Sequence, residues 1–140
     1  MIFVDSSVWV DYFNGTQSVE TDCLDSLLGK EPVGLGDVVL IEVLQGFRRD
    51  QDYKTAKDLL TALAVFTLGG QEMAIKSADN FRLLRKKGIT VRKTIDVLIA
   101  TFCINKNLPL LHSDKDFDPF HQHLKLENAL DFINLDRLEP

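Results

Sequence analysis

Four short apolar runs set the terms on which this chain can fold. They are Ile2-Phe3-Val4, Pro32-Val33-Gly34-Leu35, Val65-Phe66-Thr67-Leu68 and Pro109-Leu110-Leu111. Each is too short for a helix, and unbroken apolar character suits a strand covered on both faces. Helix-length stretches separate them. Asp5-Ser6-Ser7 supplies capping groups for a short helix that stops at Asn14-Gly15. Thr16 can open a second helix, with Val19, Cys23, Leu24, Leu27 and Leu28 on one face. Asp37 can cap a third, and Gln51 to Ala64 carries Tyr53, Ala56, Leu59, Leu60 and Leu63 in helical phase. Gln71 to Lys87 predicts a helix with Ala74, Ala78, Phe81 and Leu84 inward, closed by basic residues and Gly88. Thr94 starts a helix that is apolar nearly all round and therefore central. Lys125-Leu126 is a candidate small edge strand, and Asn128 to Ile133 a last helix.

Strands alternating with helices imply right-handed crossovers and an α/β fold. Its mainly parallel sheet has four to five strands with helices on both faces. Residues 1–140 read as a single domain, with no linker, repeat or low-complexity segment. A chain of this length buries roughly 68–70% of its unfolded surface and needs no disulfide. Cys23 and Cys103 are isolated among apolar neighbours, the pattern of two reduced core thiols in a cytoplasmic protein. The opening Met1-Ile2-Phe3-Val4-Asp5 lacks the basic region of a signal peptide, and no apolar run approaches the ~20 residues of a membrane span.

The net charge of −5 argues against broad electrostatic adhesion to nucleic acid, but the charge is unevenly spread. Between Phe81 and Ile95 stand six basic residues (Arg82, Arg85, Lys86, Lys87, Arg92 and Lys93) and no acid. The first thirty residues hold five acids and one lysine. A basic patch of this kind can contact phosphates, although the end of a solvated helix explains it equally well.

Acids fall where chemistry is done in this architecture. In a parallel sheet the ligand crevice lies beyond the carboxyl ends of the strands, and Asp5 and Asp114 each closely follow a predicted strand. Asp96 opens the apolar helix, and Asp116 and Asp118 follow Asp114. Glu42 stands inside Val38-Val39-Leu40-Ile41-Glu42-Val43-Leu44, where an unpaired buried charge would cost several kcal/mol. Singly, each has an ordinary reading as a cap, a first-turn acid or a solvated loop. Together, four acids converging on one crevice repel and demand a cation. An oxygen-only donor set favours a hard divalent ion, Mg²⁺ or Mn²⁺. His121-Gln122-His123 lacks further ligands at zinc spacing and reads as a polar loop.

The stretches carrying these acids resemble the motifs of the VapC-type PIN-domain ribonucleases, in order and across the whole chain. IFVDSSVWVDYF is similar to the family's opening strand, first acid and helix. LIEVLQGF is similar to the second motif, TIDVLIAT to the third, and LPLLHSDKDFD to the fourth. The resemblance implies a PIN-like three-layer sandwich and metal-dependent hydrolysis of RNA, tRNA or rRNA, by a toxin held in check by a VapB-type antitoxin. It further implies a homodimer. Asp5, Asp96 and Asp114 would hold the metal, and Glu42 and Asp116 would hold a second ion or orient water. Ser6, matching a hydroxyl in the first motif, would fix a carboxylate. His112 departs from the threonine that relatives carry two positions before the fourth acid. Trp9, Tyr12 and Phe13 crowd one helix as core, with an edge open to an antitoxin segment. Two alternatives stand beside this reading. A haloacid-dehalogenase-like phosphatase wants a second aspartate at position 7, which here is serine; a catalytically silent PIN-fold binding module would not need the acids.

Overall fold

The structure is a computed structural model that describes residues 1–132. Four parallel strands form one sheet in the order β3-β2-β1-β4, with β1 at Ile2–Val4, β2 at Val33–Gly36, β3 at Ala64–Phe66 and β4 at Leu110–Leu111. The helices are α1 (Ser6–Phe13), α2 (Val19–Leu27), α3 (Asp37–Leu44), α4 (Asp50–Thr61), α5 (Gln71–Lys86), α6 (Thr94–Lys106) and α7 (Asp118–His123), the last preceded by a 3₁₀ turn at Lys115–Phe117. The chain steps outward from β1 through β2 to β3 and then returns across the sheet to β4. With right-handed crossovers, that reversal puts α1 to α4 on one face and α5 and α6 on the other. The packing agrees: α1 rests on α2 and α3, α3 on α4, and α5 on α6.

The apolar runs are strands for the reason their composition suggests. Phe3, Val4, Leu35, Leu110 and Leu111 are wholly buried. Phe3, Phe66 and Phe102 meet ring to ring, tying β1, β3 and α6 into one core. In β2 a side chain would be excluded most sharply at Gly36. A Cβ on Gly36 would lie 2.5 Å from Leu68 Cδ1, and Leu68 is itself fully buried. Helix α6 is central as its composition requires, burying Asp96, Val97 and Ile99 through Cys103. Cys23 and Cys103 are both buried. No helix among the described residues is long and apolar enough to cross a membrane.

Several local expectations are corrected. The second helix is capped by Ser18 rather than opened at Thr16, because Ser18 and Thr21 exchange side-chain-to-backbone bonds. Its Val19 is exposed. Asp37 does not cap α3 from outside; it is the first helical residue, and its carboxylate accepts from the N–H groups of Val38 and Leu68. The inward stripe of α5 is Met73, Ser77 and Leu84. Ala74 and Ala78 instead line, with Phe81, an open apolar hollow bounded by Gly69, Gly70 and Leu98. The edge strand at Lys125-Leu126 is reduced to a single parallel bridge between Leu110 and Asn128. Residues 129–132 are helical, and Ile133 lies outside the described residues.

Candidate active site

The sheet order reverses between β1 and β4, and a parallel sheet opens a crevice at such a point. Asp5 leaves the carboxyl end of β1, with its N–H bonded to the Leu111 carbonyl at 3.0 Å. The two strand ends are thereby locked side by side, and Asp114 follows three residues on from Leu111. Helix α3 brings Glu42 to the same place, and the first turn of α6 brings Asp96. The result is a pocket of about 390 Å³ lined by Asp5, Ser6, Ser7, Glu42, Lys93, Asp96 and Asp114, among others. Asp116 stands beside it. Asp96, Asp114 and Asp116 each offer an oxygen within 4.8 Å of the others. The structure therefore gathers all five of the predicted acids.

Their orientation is fixed by neighbours. Asp5 caps α1, its Oδ2 accepting from the Ser7 N–H at 3.1 Å and from the Ser7 hydroxyl at 2.7 Å. The same hydroxyl accepts from the Ser113 N–H at 3.1 Å, so one serine joins the first acid to the loop of the fourth. Ser6 lines the same pocket as Glu42, and its hydroxyl draws the Glu42 pKa down against the rise from burial. The hydroxyl that holds Asp5 belongs to Ser7. Asp114 caps its own 3₁₀ turn, accepting from the Asp116 N–H at 2.9 Å. With Ser7 engaged on both sides, the second aspartate that the phosphatase alternative needs has no counterpart.

The electrostatics are those of crowded anions. Burial raises Asp5 above the usual carboxylate range, as it does Glu42, with the neighbouring Asp5 charge adding to the rise in Glu42. Asp96 is pushed up to about 7, first by burial and then by Asp5, while Lys93 draws it down. One oxygen on each of these three acids (Asp5 Oδ1, Glu42 Oε1 and Asp96 Oδ2) is buried with no hydrogen-bond partner among the described residues. Buried acceptors of this kind are costly unless something positive satisfies them. The donor set is all oxygen and suits a hard divalent cation.

The basic residues divide. Lys93 alone reaches the pocket, where its ammonium donates to Asp114 Oδ2 at 3.4 Å. Asp96 and Asp114 raise its pKa, Asp96 the more. Arg82 and Arg85 line the apolar hollow instead, with the Arg85 guanidinium 5.6 Å from the Phe81 ring centre. Lys86, at the end of α5, and Lys87 and Arg92, between α5 and α6, are exposed and line neither pocket.

Sequence reasoning missed the roles of Ser7 and His121. The paired hydroxyls of Asp5-Ser6-Ser7 were a usable clue to the first. His121 is no loop residue. It lies in α7, and its Nε2 is 2.7 Å from Nε2 of His112, a buried ring.

Residues 2–120 match the model of the PIN-domain family. Over 131 residues the chain is 30% identical to the VapC ribonuclease Mb1587 of Mycobacterium bovis, covering 92% of this chain and 98% of that protein. The figures are the same for the ribonuclease VapC11 of Mycobacterium tuberculosis. The chain belongs to the VapC ribonucleases of the PIN-domain family. Among solved structures the fold is similar to VapBC2 of Rickettsia felis bound to a fragment of its promoter DNA. The TM-score there is 0.67, at 19% identity over 84% of this chain and 91% of that one. It is similar also to VapC20 of M. tuberculosis, described as a sarcin–ricin loop cleaving toxin, with TM-score 0.62 and 20% identity over 84% and 93%. A third is DNA-bound VapBC of Salmonella typhimurium, with TM-score 0.68 and 15% identity over 91% and 96%.

Proposed function

We propose that this protein is the toxin of a toxin–antitoxin pair, a Mg²⁺- or Mn²⁺-dependent endoribonuclease. The observation that carries the proposal is the trio of buried, unpartnered oxygens on Asp5, Glu42 and Asp96 beside Asp114 and Asp116. Asp5, Asp96 and Asp114 are the residues to hold the ion. When bound, a divalent ion supplies Lewis-acid activation of water and neutralises charge on the phosphate. The chain's own groups do the rest. Ser7 keeps Asp5 from rotating away, and Ser6, beside Glu42 in the pocket, is the hydroxyl placed to do the same there. Glu42, its pKa raised by burial, is suited to take a proton from the attacking water, with Asp116 as a second orienting acid. Lys93, at the rim, is placed to meet a phosphate of the RNA.

The cytoplasm is the compartment this reading requires. The structural neighbours that are VapBC complexes support a VapB-type antitoxin as partner, and a homodimer belongs to the same reading. Arg82, Arg85, Lys86, Lys87 and Arg92 are offered as outer RNA contacts, away from the acids. The substrate classes to assay are transfer RNA and ribosomal RNA loops, where shape and unstacked bases carry specificity. The test is to map RNA ends in cells after induction of the wild-type chain and of Asp96→Asn. New 5′ ends at defined positions, absent in the variant, are expected. Intact RNA after wild-type induction, or equal cleavage by the variant, would overturn the reading.

A further inference from the structure

A buried histidine and a half-buried one behind the pocket form a hydrogen-bond chain whose direction is fixed at both ends. His121 Nδ1 is 2.8 Å from the carbonyl oxygen of Leu126. A carbonyl only accepts, so Nδ1 of His121 carries the proton. His112 Nδ1 is 3.2 Å from the backbone nitrogen of Asp114. A backbone N–H only donates, so Nδ1 of His112 is bare. Between them the two Nε2 atoms are 2.7 Å apart. The one arrangement that leaves both rings neutral has His112 Nε2–H donating to His121 Nε2. The ring centres lie 5.0 Å apart with planes inclined by 18°. The nitrogen separation is shorter than the centre separation by about a ring's width, so the rings meet edge to edge in one plane.

The chain has no room for a metal. Two imidazole nitrogens each about 2.0–2.1 Å from one zinc ion at tetrahedral angles stand farther apart than these do. Phe117, wholly buried, packs against His112 with ring centres 4.8 Å apart.

What the chain holds is the backbone of Asp114. That residue's N–H points into His112, leaving its carboxylate to cap the turn and face Asp96 and Asp116. Leu126 is anchored as well: its N–H bonds to the Phe120 carbonyl at 3.2 Å, and the adjoining Glu127 carbonyl bonds to β4 at Leu110. The anchor at one end is thus the sheet, and the load at the other is an acid of the site.

We propose that His112 and His121 are positioning residues, a neutral one-way relay from the Leu126 carbonyl to the Asp114 N–H that sets Asp114 for metal binding. This rests on the nuclease reading only for its effect on cleavage; the effect on metal is separate. Groups that orient a metal ligand typically cost about 10–100-fold in metal affinity or activity when removed.

The test has two readouts. Nitrogen-15 NMR of the metal-free chain should show protonated nitrogens at His112 Nε2 and His121 Nδ1 and bare ones at His112 Nδ1 and His121 Nε2. Titration with Mn²⁺ alone should show His112→Phe binding about tenfold more weakly than wild type. His112→Asn, whose amide oxygen can still accept from the Asp114 N–H, should recover most of that loss. In RNA cleavage kcat should fall with little change in KM. Should His112→Phe not fold, His121→Asn keeps the donor to Leu126, and there Mn²⁺ binding should weaken while His112 Nδ1 stays bare against the Asp114 N–H. The opposite tautomers, or a His112→Phe protein that binds Mn²⁺ like wild type, would overturn the inference. Weakened Mn²⁺ binding in a protein that cuts no RNA would uphold it and sink the nuclease reading instead.

Discussion

Lys93 Nζ lies 3.4 Å from Asp114 Oδ2, and no other lysine or arginine lines the acidic pocket among the described residues. One lysine thus stands against five acids, in the position where a substrate phosphate and a metal ion would both press. It repels the ion and attracts the phosphate, which separates two quantities usually measured together.

Lys93→Gln should therefore tighten Mn²⁺ binding while raising KM for RNA. The lysine is well exposed, so each effect should be worth about 1 kcal/mol, or roughly fivefold. Calorimetric titration with Mn²⁺ and steady-state cleavage kinetics on the same variant check it. Changes of the same sign in both would show that Lys93 acts only through the fold.

The Asp96 carboxyl, pushed up to about 7, makes the metal-free protein sensitive to pH. Its ordinary value is 3.8, so between roughly 4 and 7 the folded chain keeps a proton that the unfolded chain has released. Stability should fall as pH rises through that window and level off above it, by a total on the order of 2–4 kcal/mol. In EDTA, Asp96→Asn should flatten most of this slope and melt above wild type near pH 8. Added Mn²⁺ should restore the wild type and do little for the variant. A variant melting well below wild type in EDTA would mean that Asp96 is held by a structural partner.

Ser7→Ala removes the hydroxyl that both steadies Asp5 and receives the Ser113 N–H. Cleavage should drop about 10–100-fold, with Mn²⁺ affinity falling alongside. Ser6→Ala, which frees Glu42 instead, should lower kcat and leave Mn²⁺ binding by Asp5, Asp96 and Asp114 largely intact. Equal losses in the two variants would contradict the division of labour.

Gly36→Ala places a methyl 2.5 Å from Leu68 Cδ1 and should destabilise by about 1–3 kcal/mol. Leu68→Ala alone should cost about 2–5 kcal/mol. Because the two share one space, the double variant should be less destabilised than the sum, a coupling that urea unfolding can measure.

What could be read from the sequence was whatever depends on local order along the chain. Asp5 and Asp114 share a crevice because each follows a parallel strand. Glu42 announces itself as a charge with apolar neighbours, and Asp96 as the first acid of an all-apolar helix. What escaped depends on which face or which rotamer wins. Helix α5 has two competing stripes, and packing on α6 chose Met73, Ser77 and Leu84 over Ala74 and Ala78. Ser6 and Ser7 are chemically alike, and only the turn geometry gives Asp5 to Ser7. His121 looked solvated because its partner, His112, is brought to it by the turn between them, which no periodicity in the sequence marks.

The bond from Ser113 to Ser7 spans 106 residues of sequence. Loop closure over such a distance is slow, and it comes after the local helices have formed. Asp5 and Glu42 precede β3 in the chain; Asp96, Asp114 and Asp116 follow it. The cutting edge is therefore split between the two halves of the polypeptide. On the proposed assignment the acids cannot face one another until β4 lies beside β1, so the pairing that completes the sheet also completes the site.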